Sequence, residues 1–374
     1  MSYDRAVWEE GRPAGDAAAR QGKVPVPKRK MNPDEIDIGI PVVARLIAEQ
    51  FPQWARLPVT EVPSAGTDNA IYRLGEEMAV RLPRRPRTVA ALAREQQWLP
   101  RLAPLLPLAV PVPLAHGAPG EGFPFPWSVY RWLDGENVAY EPDVDLPDAA
   151  VRLGRFVAAL QRIDTAGGSP PSFRAEPVSA LDDRVRAEIR GLAADGMVDP
   201  DLATAAWETA MATPAWEGPP CWVHADLSPF NLLACHGRLT AVIDFGGLGV
   251  GDPAIDMLPA WAWLTPQTRD LFRAEVKPDD ATWSRGRGWS LALGLGAVNY
   301  YRVTNPVLAA NNGRAIAQVI ADYQRTALRG QRPRAPGRRA RAVNLSESSR
   351  ATARIKPATM PPLSAGISVQ PSVR

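Results

Sequence analysis

Apolar residues at Ile40, Val43, Ile47 and Phe51 fall on one face of a helix and form the first sustained pattern in the chain. A short β-like run, Val59–Val62, follows, and then a turn-forming stretch, Ser64-Ala65-Gly66-Thr67-Asp68-Asn69. Ile71–Leu74 and Met78–Leu82 alternate with period two and are joined by Gly75-Glu76-Glu77, which predicts a hairpin. A helix carrying Leu92, Glu95, Gln96 and Leu99 comes next. Two more strand-like runs are Ala109–Ala115 and Trp127–Leu133, the second closing at the turn pair Asp134-Gly135. Beyond residue 145 the period lengthens. Ala149–Ile163 places Val151, Leu153, Phe156, Val157 and Leu160 in an amphipathic pattern. A β-like loop region spans Cys221–Gly251, and helical patterns return over Met257–Leu264, Thr282–Val303 and Ala310–Leu328. This order predicts an α+β chain: a small antiparallel β-rich lobe over residues 31–134, then a larger, mainly helical lobe over 135–328.

Residues 1–30 and 329–374 have no sustained period and are rich in Arg, Ala and Pro, so both are expected to be disordered. Met31 reads as the natural start, with the preceding segment an extension. Charge separates these regions. From Arg325 onward there are eleven Lys and Arg against one Glu, and residues 1–30 hold seven basic and four acidic side chains. Of the 43 basic and 40 acidic residues in all, 25 and 35 remain between Met31 and Gln324, a net charge of −10. The folded part is therefore acidic, which argues against a nucleic-acid surface on it. In the tail, Arg338-Arg339-Ala340-Arg341 reads as solvated charge because no aromatic residues interleave with it. No apolar run is long enough to span a bilayer, and the mixed-charge N-terminus is not a secretory signal. The two cysteines, Cys221 and Cys235, exclude a disulfide framework and fit a reducing cytoplasm. Nothing in the sequence speaks to oligomeric state.

The chemistry concentrates in Trp222-Val223-His224-Ala225-Asp226-Leu227-Ser228-Pro229-Phe230-Asn231-Leu232-Leu233. Phosphoryl transfer to a hydroxyl needs a carboxylate to take or orient the hydroxyl proton, oxygen ligands for a metal on the phosphates, and cationic donors to restrain the phosphate oxygens. In the pattern His-x-Asp-x-x-x-x-Asn, His224 and Asp226 are the candidate catalytic residues, with Asp226 as base. Asn231 offers an amide oxygen to Mg2+ or Mn2+. The turn His236-Gly237-Arg238 leads into Ala241-Val242-Ile243-Asp244-Phe245-Gly246, an apolar strand ending in an acid that can serve as the second metal ligand. A lone Asp usually caps a helix or stabilises a turn; four such residues in order at this spacing carry the functional reading. Asp252, ahead of Pro253, reads as a helix N-cap, and Asp256 one turn later can bond back to the catalytic loop. His116 and His236 sit in turn-like contexts, and Cys235 lacks a ligand cluster, so none of the three is promoted to a site.

These residues resemble the aminoglycoside phosphotransferase family, the small-molecule branch of the protein-kinase-like fold. That family shows a His-Gly-Asp-x-x-x-x-Asn loop, an Ile-Asp-Phe/Trp-Gly motif and a Gly-Asp-Pro-x-x-Asp helix start. All are present between His224 and Asp256, with Ala225 in place of the Gly. The resemblance covers roughly residues 35–325 and implies a two-lobed kinase-like fold that binds a nucleotide, ATP or GTP, and a small-molecule acceptor. It implies that Ser64, Gly66, Thr67 and Asn69 belong to the nucleotide-covering loop and that Trp127–Leu133 links the lobes. It also implies that Arg81 grips the phosphates with Glu95 as its ion-pair partner. The acceptor is expected to be an antibiotic such as an aminoglycoside or macrolide, or else a metabolite such as a sugar or amino alcohol. A subset of Trp261, Trp263, Trp283, Trp289, Tyr300 and Tyr301 could stack on it. A pseudokinase that binds nucleotide without turnover would call for a damaged motif, and only Ala225 departs from the pattern.

Overall fold

The computed structural model describes residues 35–62, 68–141, 143–171 and 173–330. The expectations for residues 1–30 and 331–374, and for Ser64, Gly66 and Thr67, lie outside these. The chain divides into a unit of Met1–Arg329 and a second of Gly330–Arg374, and the architecture that follows is that of the first.

A five-stranded sheet comes first. Strands β1 (Val59–Glu61), β2 (Asn69–Leu74), β3 (Met78–Pro83), β4 (Pro113–Gly117) and β5 (Trp127–Arg131) are ordered β1-β2-β3-β5-β4, and every pairing is antiparallel. Period-two alternation decides which way each side chain points. Ala70, Tyr72 and Leu74 of β2 and Val80 and Leu82 of β3 are buried, while Arg81 turns to the opposite face. Helix α1 (Ile40–Gln50) lays Val43, Leu46 and Ile47 on this layer. Ile40, expected on that face, is exposed, and Phe51 ends the helix and meets the edge of Trp127.

The strand expected at Ala109–Ala115 begins only at Pro113. Pro111 and Pro113 lack the N–H that a continuous ladder requires. Ala109 instead pairs with the second lobe, donating to Thr240 O at 3.1 Å and accepting from Val242 N at 2.9 Å. Helix α2 (Thr88–Leu102) also reaches the second lobe. Its Trp98, Leu99 and Leu102 belong to the larger core although they lie within the segment assigned to the first lobe.

The larger lobe holds helices α3 (Leu146–Arg162), α4 (Asp182–Ala194), α5 (Pro200–Met211), α6 (Pro266–Val276), α7 (Asp280–Tyr301) and α8 (Pro306–Gly330), with one helical turn at Pro259–Ala262. Short strands β6 (Glu136–Asn137), β7 (Cys221–Val223), β8 (Leu232–Cys235), β9 (Arg238–Val242) and β10 (Gly249–Gly251) form the three-stranded sheet β6-β8-β9 and the pair β7-β10. Helix α7 is buried on nearly all sides. It approaches the turn Pro253–Met257 so closely that a Cβ at Gly286 would lie 2.4 Å from Met257 Cβ. Among the described residues no helix is long and apolar enough to cross a membrane.

Candidate active site

The segment His224–Asn231 is suspended between two strands. Trp222 and Val223 of β7 are fully buried and pair with β10, which fixes where the loop starts; β8 takes over at Leu232. Asp256 holds the first bend. Its two carboxylate oxygens accept from His224 N and Ala225 N, each at 2.8 Å. Burial pushes the Asp256 carboxyl up to about 7, against the pull of these two amides. Asp252 caps the same turn by accepting from Ala254 N at 2.9 Å and is bound by Arg285 Nε at 2.8 Å. Both acids have the architectural roles expected of them.

The bend also explains the position of Ala225, whose φ is +65°. A side chain is disfavoured in this left-handed region, which is why a Gly suits the position. His224 differs from its expected catalytic part. It is fully buried; its Nδ1 accepts from Asp226 N at 3.2 Å, so its Nε2 carries the proton donated to Ile243 O at 3.0 Å. Burial lowers its pKa and favours this neutral form. With both ring nitrogens engaged, His224 fastens the loop to the end of β9 and does not face a substrate.

Asp226 does face outward, with 32% of its side chain exposed. Asn231 Nδ2 donates to Asp226 O at 2.8 Å and to Asp226 Oδ2 at 3.2 Å. That commits the amide nitrogen and leaves Asn231 Oδ1 for a cation. Ile243 N donates to Asn231 O at 2.9 Å, tying this turn to the strand that delivers Asp244. Asp244 has a φ of +61° and is 44% exposed. Among the described residues no three His, Cys, Asp or Glu side chains gather around one point. A carboxylate and an amide oxygen are donor types that suit a hard divalent ion with phosphate and water in the rest of its shell.

Arg81 stands on the facing strand. Its Nη1 donates to Glu95 Oε1 at 2.8 Å and Oε2 at 2.6 Å, and its Nη2 donates to Asp244 Oδ1 at 2.6 Å. Tyr130 Oη donates to Glu95 Oε2 at 2.9 Å. Burial opposes the Arg81 charge, but Glu95 and Asp244 more than offset it and raise its pKa. The ion pair with Glu95 is the expected one; the bond to Asp244 was not foreseen. Asn69 begins β2 and is nearly buried, so it is a strand residue and not part of a covering loop. With its amide oxygen turned to the guanidinium, it accepts from Arg81 Nη2 at 2.8 Å and Nε at 3.1 Å.

Of the aromatic residues weighed for stacking, Trp261 and Trp289 are core. Tyr301 is partly buried, and burial raises its pKa, as do Tyr300 and the charges of Asp68 and Asp226. Sequence reasoning missed Arg174, whose Nη1 donates to Asp226 Oδ1 at 2.6 Å.

Residues 59–289 match the model of a family described as the phosphotransferase enzyme family. The chain belongs to that family. This phosphotransferase is thus a small-molecule kinase with an α+β, two-lobed kinase-like fold. Solved structures agree on the fold. The GDP complex of wild-type aminoglycoside 2'-phosphotransferase-IIIa is 20% identical with a TM-score of 0.57, over 75% of this chain and 98% of that one. The GDP and kanamycin complex of APH(2")-IIia is 18% identical with a TM-score of 0.56, over 76% and 98%. The macrolide 2'-phosphotransferase MphH from Brachybacterium faecium is 23% identical with a TM-score of 0.50, over 75% and 97%. No curated protein matches the phosphotransferase by sequence.

Proposed function

We propose that this phosphotransferase moves the γ-phosphate of ATP or GTP to a hydroxyl of a small molecule, with Asp226 as base. The observation that carries this reading is the placement of an outward-facing Asp226 beside Asn231, with Asp244 bonded to Arg81 of β3. Asp226 orients the acceptor hydroxyl and takes its proton as the oxygen attacks phosphorus; the bond from phosphorus to the bridging oxygen breaks, and the nucleoside diphosphate leaves. Asn231 Oδ1 and Asp244 would hold Mg2+ or Mn2+, which when bound neutralises phosphate charge and draws the phosphates into line. Arg81, held by Glu95 through Nη1, would reach the phosphate oxygens through Nη2 once Asp244 turns from it to the metal. The nearly complete motif argues against a pseudokinase.

For the acceptor, an antibiotic hydroxyl of the aminoglycoside or macrolide kind is the first reading. It draws on the folds and bound ligand of the structural relatives and on the net charge of −10 between Met31 and Gln324, which attracts cations at long range. A neutral or anionic metabolite is the second, favoured by the Arg174 guanidinium against Asp226, which would repel a cationic acceptor at close range. The same acidity argues against a nucleic-acid partner. Phosphate transfer from labelled ATP and GTP to a panel holding both acceptor classes, with and without Mg2+, tests the proposal. Transfer to no acceptor, or full transfer in excess chelator, refutes it.

A further inference from the structure

Phe173 and Arg174 precede α4 in a segment without regular structure, and nothing in the sequence marks them. Their placement is specific. The turn Phe245–Gly247 follows Asp244, and a Cβ at Gly247 would lie 2.8 Å from Phe173 Cζ. The missing side chain admits the Phe173 ring. The Arg174 guanidinium lies 4.9 Å from the centroid of that ring. The backbone of Arg174 is left-handed, with a φ of +61°, a conformation kept only where the surroundings enforce it. Nη1 then donates to both Ala225 O and Asp226 Oδ1.

Only one of the three guanidinium nitrogens is used. Among the described residues Nη2 and Nε, which carry three of the five N–H groups, bond to nothing, and 24% of the side chain is exposed. The turn that seats Phe173 directly follows Asp244, so the Phe173-Arg174 segment packs beside the strand end that carries the proposed metal-binding acid while Arg174 bonds to Asp226. Arg174 thus brings an anchored fork, with free donors, to the proposed base.

We propose that Arg174 is a catalytic residue: Nη1 fixes Asp226, while Nη2 and Nε bind the oxygens of the phosphoryl group in transit. This rests on the reading of Asp226 as base and of a nucleoside triphosphate as donor. The acceptor oxygen bonds to phosphorus, the bond to the β-phosphate oxygen breaks with its electron pair leaving on the diphosphate, and the hydroxyl proton goes to Asp226. Arg174 exchanges no proton and stabilises charge as it spreads over the phosphoryl oxygens.

The test uses the full chain with Mg2+ and ATP, following transfer to a responding acceptor and slow ATP hydrolysis, which needs no acceptor. Arg174→Ala should lower kcat in both assays by roughly a hundred- to a thousandfold and leave KM for ATP and acceptor within about threefold. Arg174→Lys should recover part of the loss. Millimolar guanidinium should partly rescue Arg174→Ala and do nothing for Asp226→Ala. The alanine variant should also bind ADP normally but lose affinity for ADP with aluminium fluoride. A kcat near that of the parent, or a loss confined to acceptor KM, overturns the proposal while Asp226→Ala remains inactive. An active Asp226→Ala overturns the reading beneath it as well. If Arg174→Ala fails to fold, Arg174→Lys and Arg174→Gln replace it, and equal kcat in the two refutes a role for the fork.

Discussion

At the scale of single residues, three side chains make separable predictions. Asp226→Ala should keep the fold and nucleotide affinity but lose transfer by roughly a hundred- to ten-thousandfold, the range for removing a positioned base. Near-parent turnover would refute the assignment. Ala225 has a φ of +65°, so Ala225→Gly should raise stability by about 1 kcal/mol, read as an increase in Tm with kcat unchanged. Arg81 is more tightly built in than its sequence context indicates. Its partner Glu95 is 1% exposed, so Arg81→Ala strands a buried carboxylate as well as removing a phosphate donor. Arg81→Lys should lose part of the turnover, Glu95→Gln more, and Arg81→Ala the most, with Tm falling clearly in the last. Near-parent kinetics for all three would remove Arg81 from phosphate binding and leave it a structural ion pair.

Among the elements, the turn Pro253–Met257 does the most to shape the site, because Asp256 fixes two consecutive amides of the catalytic loop from inside the core. Asp256→Asn keeps the size but points an NH2 group at one of those donors. It should lower stability by about 1–3 kcal/mol and depress kcat through a displaced Asp226, measurable by unfolding and kinetics on one sample. An unchanged midpoint and kcat would refute that role. This part of the site was legible in the sequence. His224, Asp226, Asn231, Asp244, Asp252 and Asp256 fall within one stretch whose turns and strands set their relative positions locally. Arg174 and Tyr130 were not legible, since their contacts bridge 52 and 35 residues and depend on packing that no local spacing encodes. Helices α4, α5 and α6 went unnamed for another reason. Helix α4 is largely polar, with only Val185, Ile189 and Leu192 buried. The starts of α5 and α6 were nonetheless written in the sequence as Asp199-Pro200 and Thr265-Pro266, an N-cap followed by Pro at the first helical position.

For the molecule as a whole, the question is how much chain the fold needs. At the front, Ile36 N donates to Arg84 O at 3.1 Å, Tyr72 Oη donates to Ile38 O, and Ile36 and Ile38 pack on the small-lobe core. At the back, α8 contributes buried Ala315, Ile316 and Val319. It also supplies Asp322, which accepts from Arg269 Nη1 and Arg325 Nη2, each at 3.1 Å, and from Arg287 Nη1 at 3.5 Å. Arg269 is 4% exposed, so removing Asp322 leaves a buried cation without its counter-charge, a loss of about 3–5 kcal/mol. Burial works against the Asp322 carboxylate, but Arg269 and its neighbours outweigh it and depress its pKa. Its contribution is therefore fully present above the ordinary carboxylate range and is lost as the pH falls through the depressed folded value. A chain of residues 31–330 should accordingly unfold in one cooperative transition and turn over like the full chain. A chain of residues 31–304 should not, and Asp322→Ala in the longer chain should reproduce much of that defect and flatten the acid limb of the stability profile. Equal thermal midpoints for the two trimmed chains would show that α8 is dispensable and that the arginine cluster around Asp322 does not support the core.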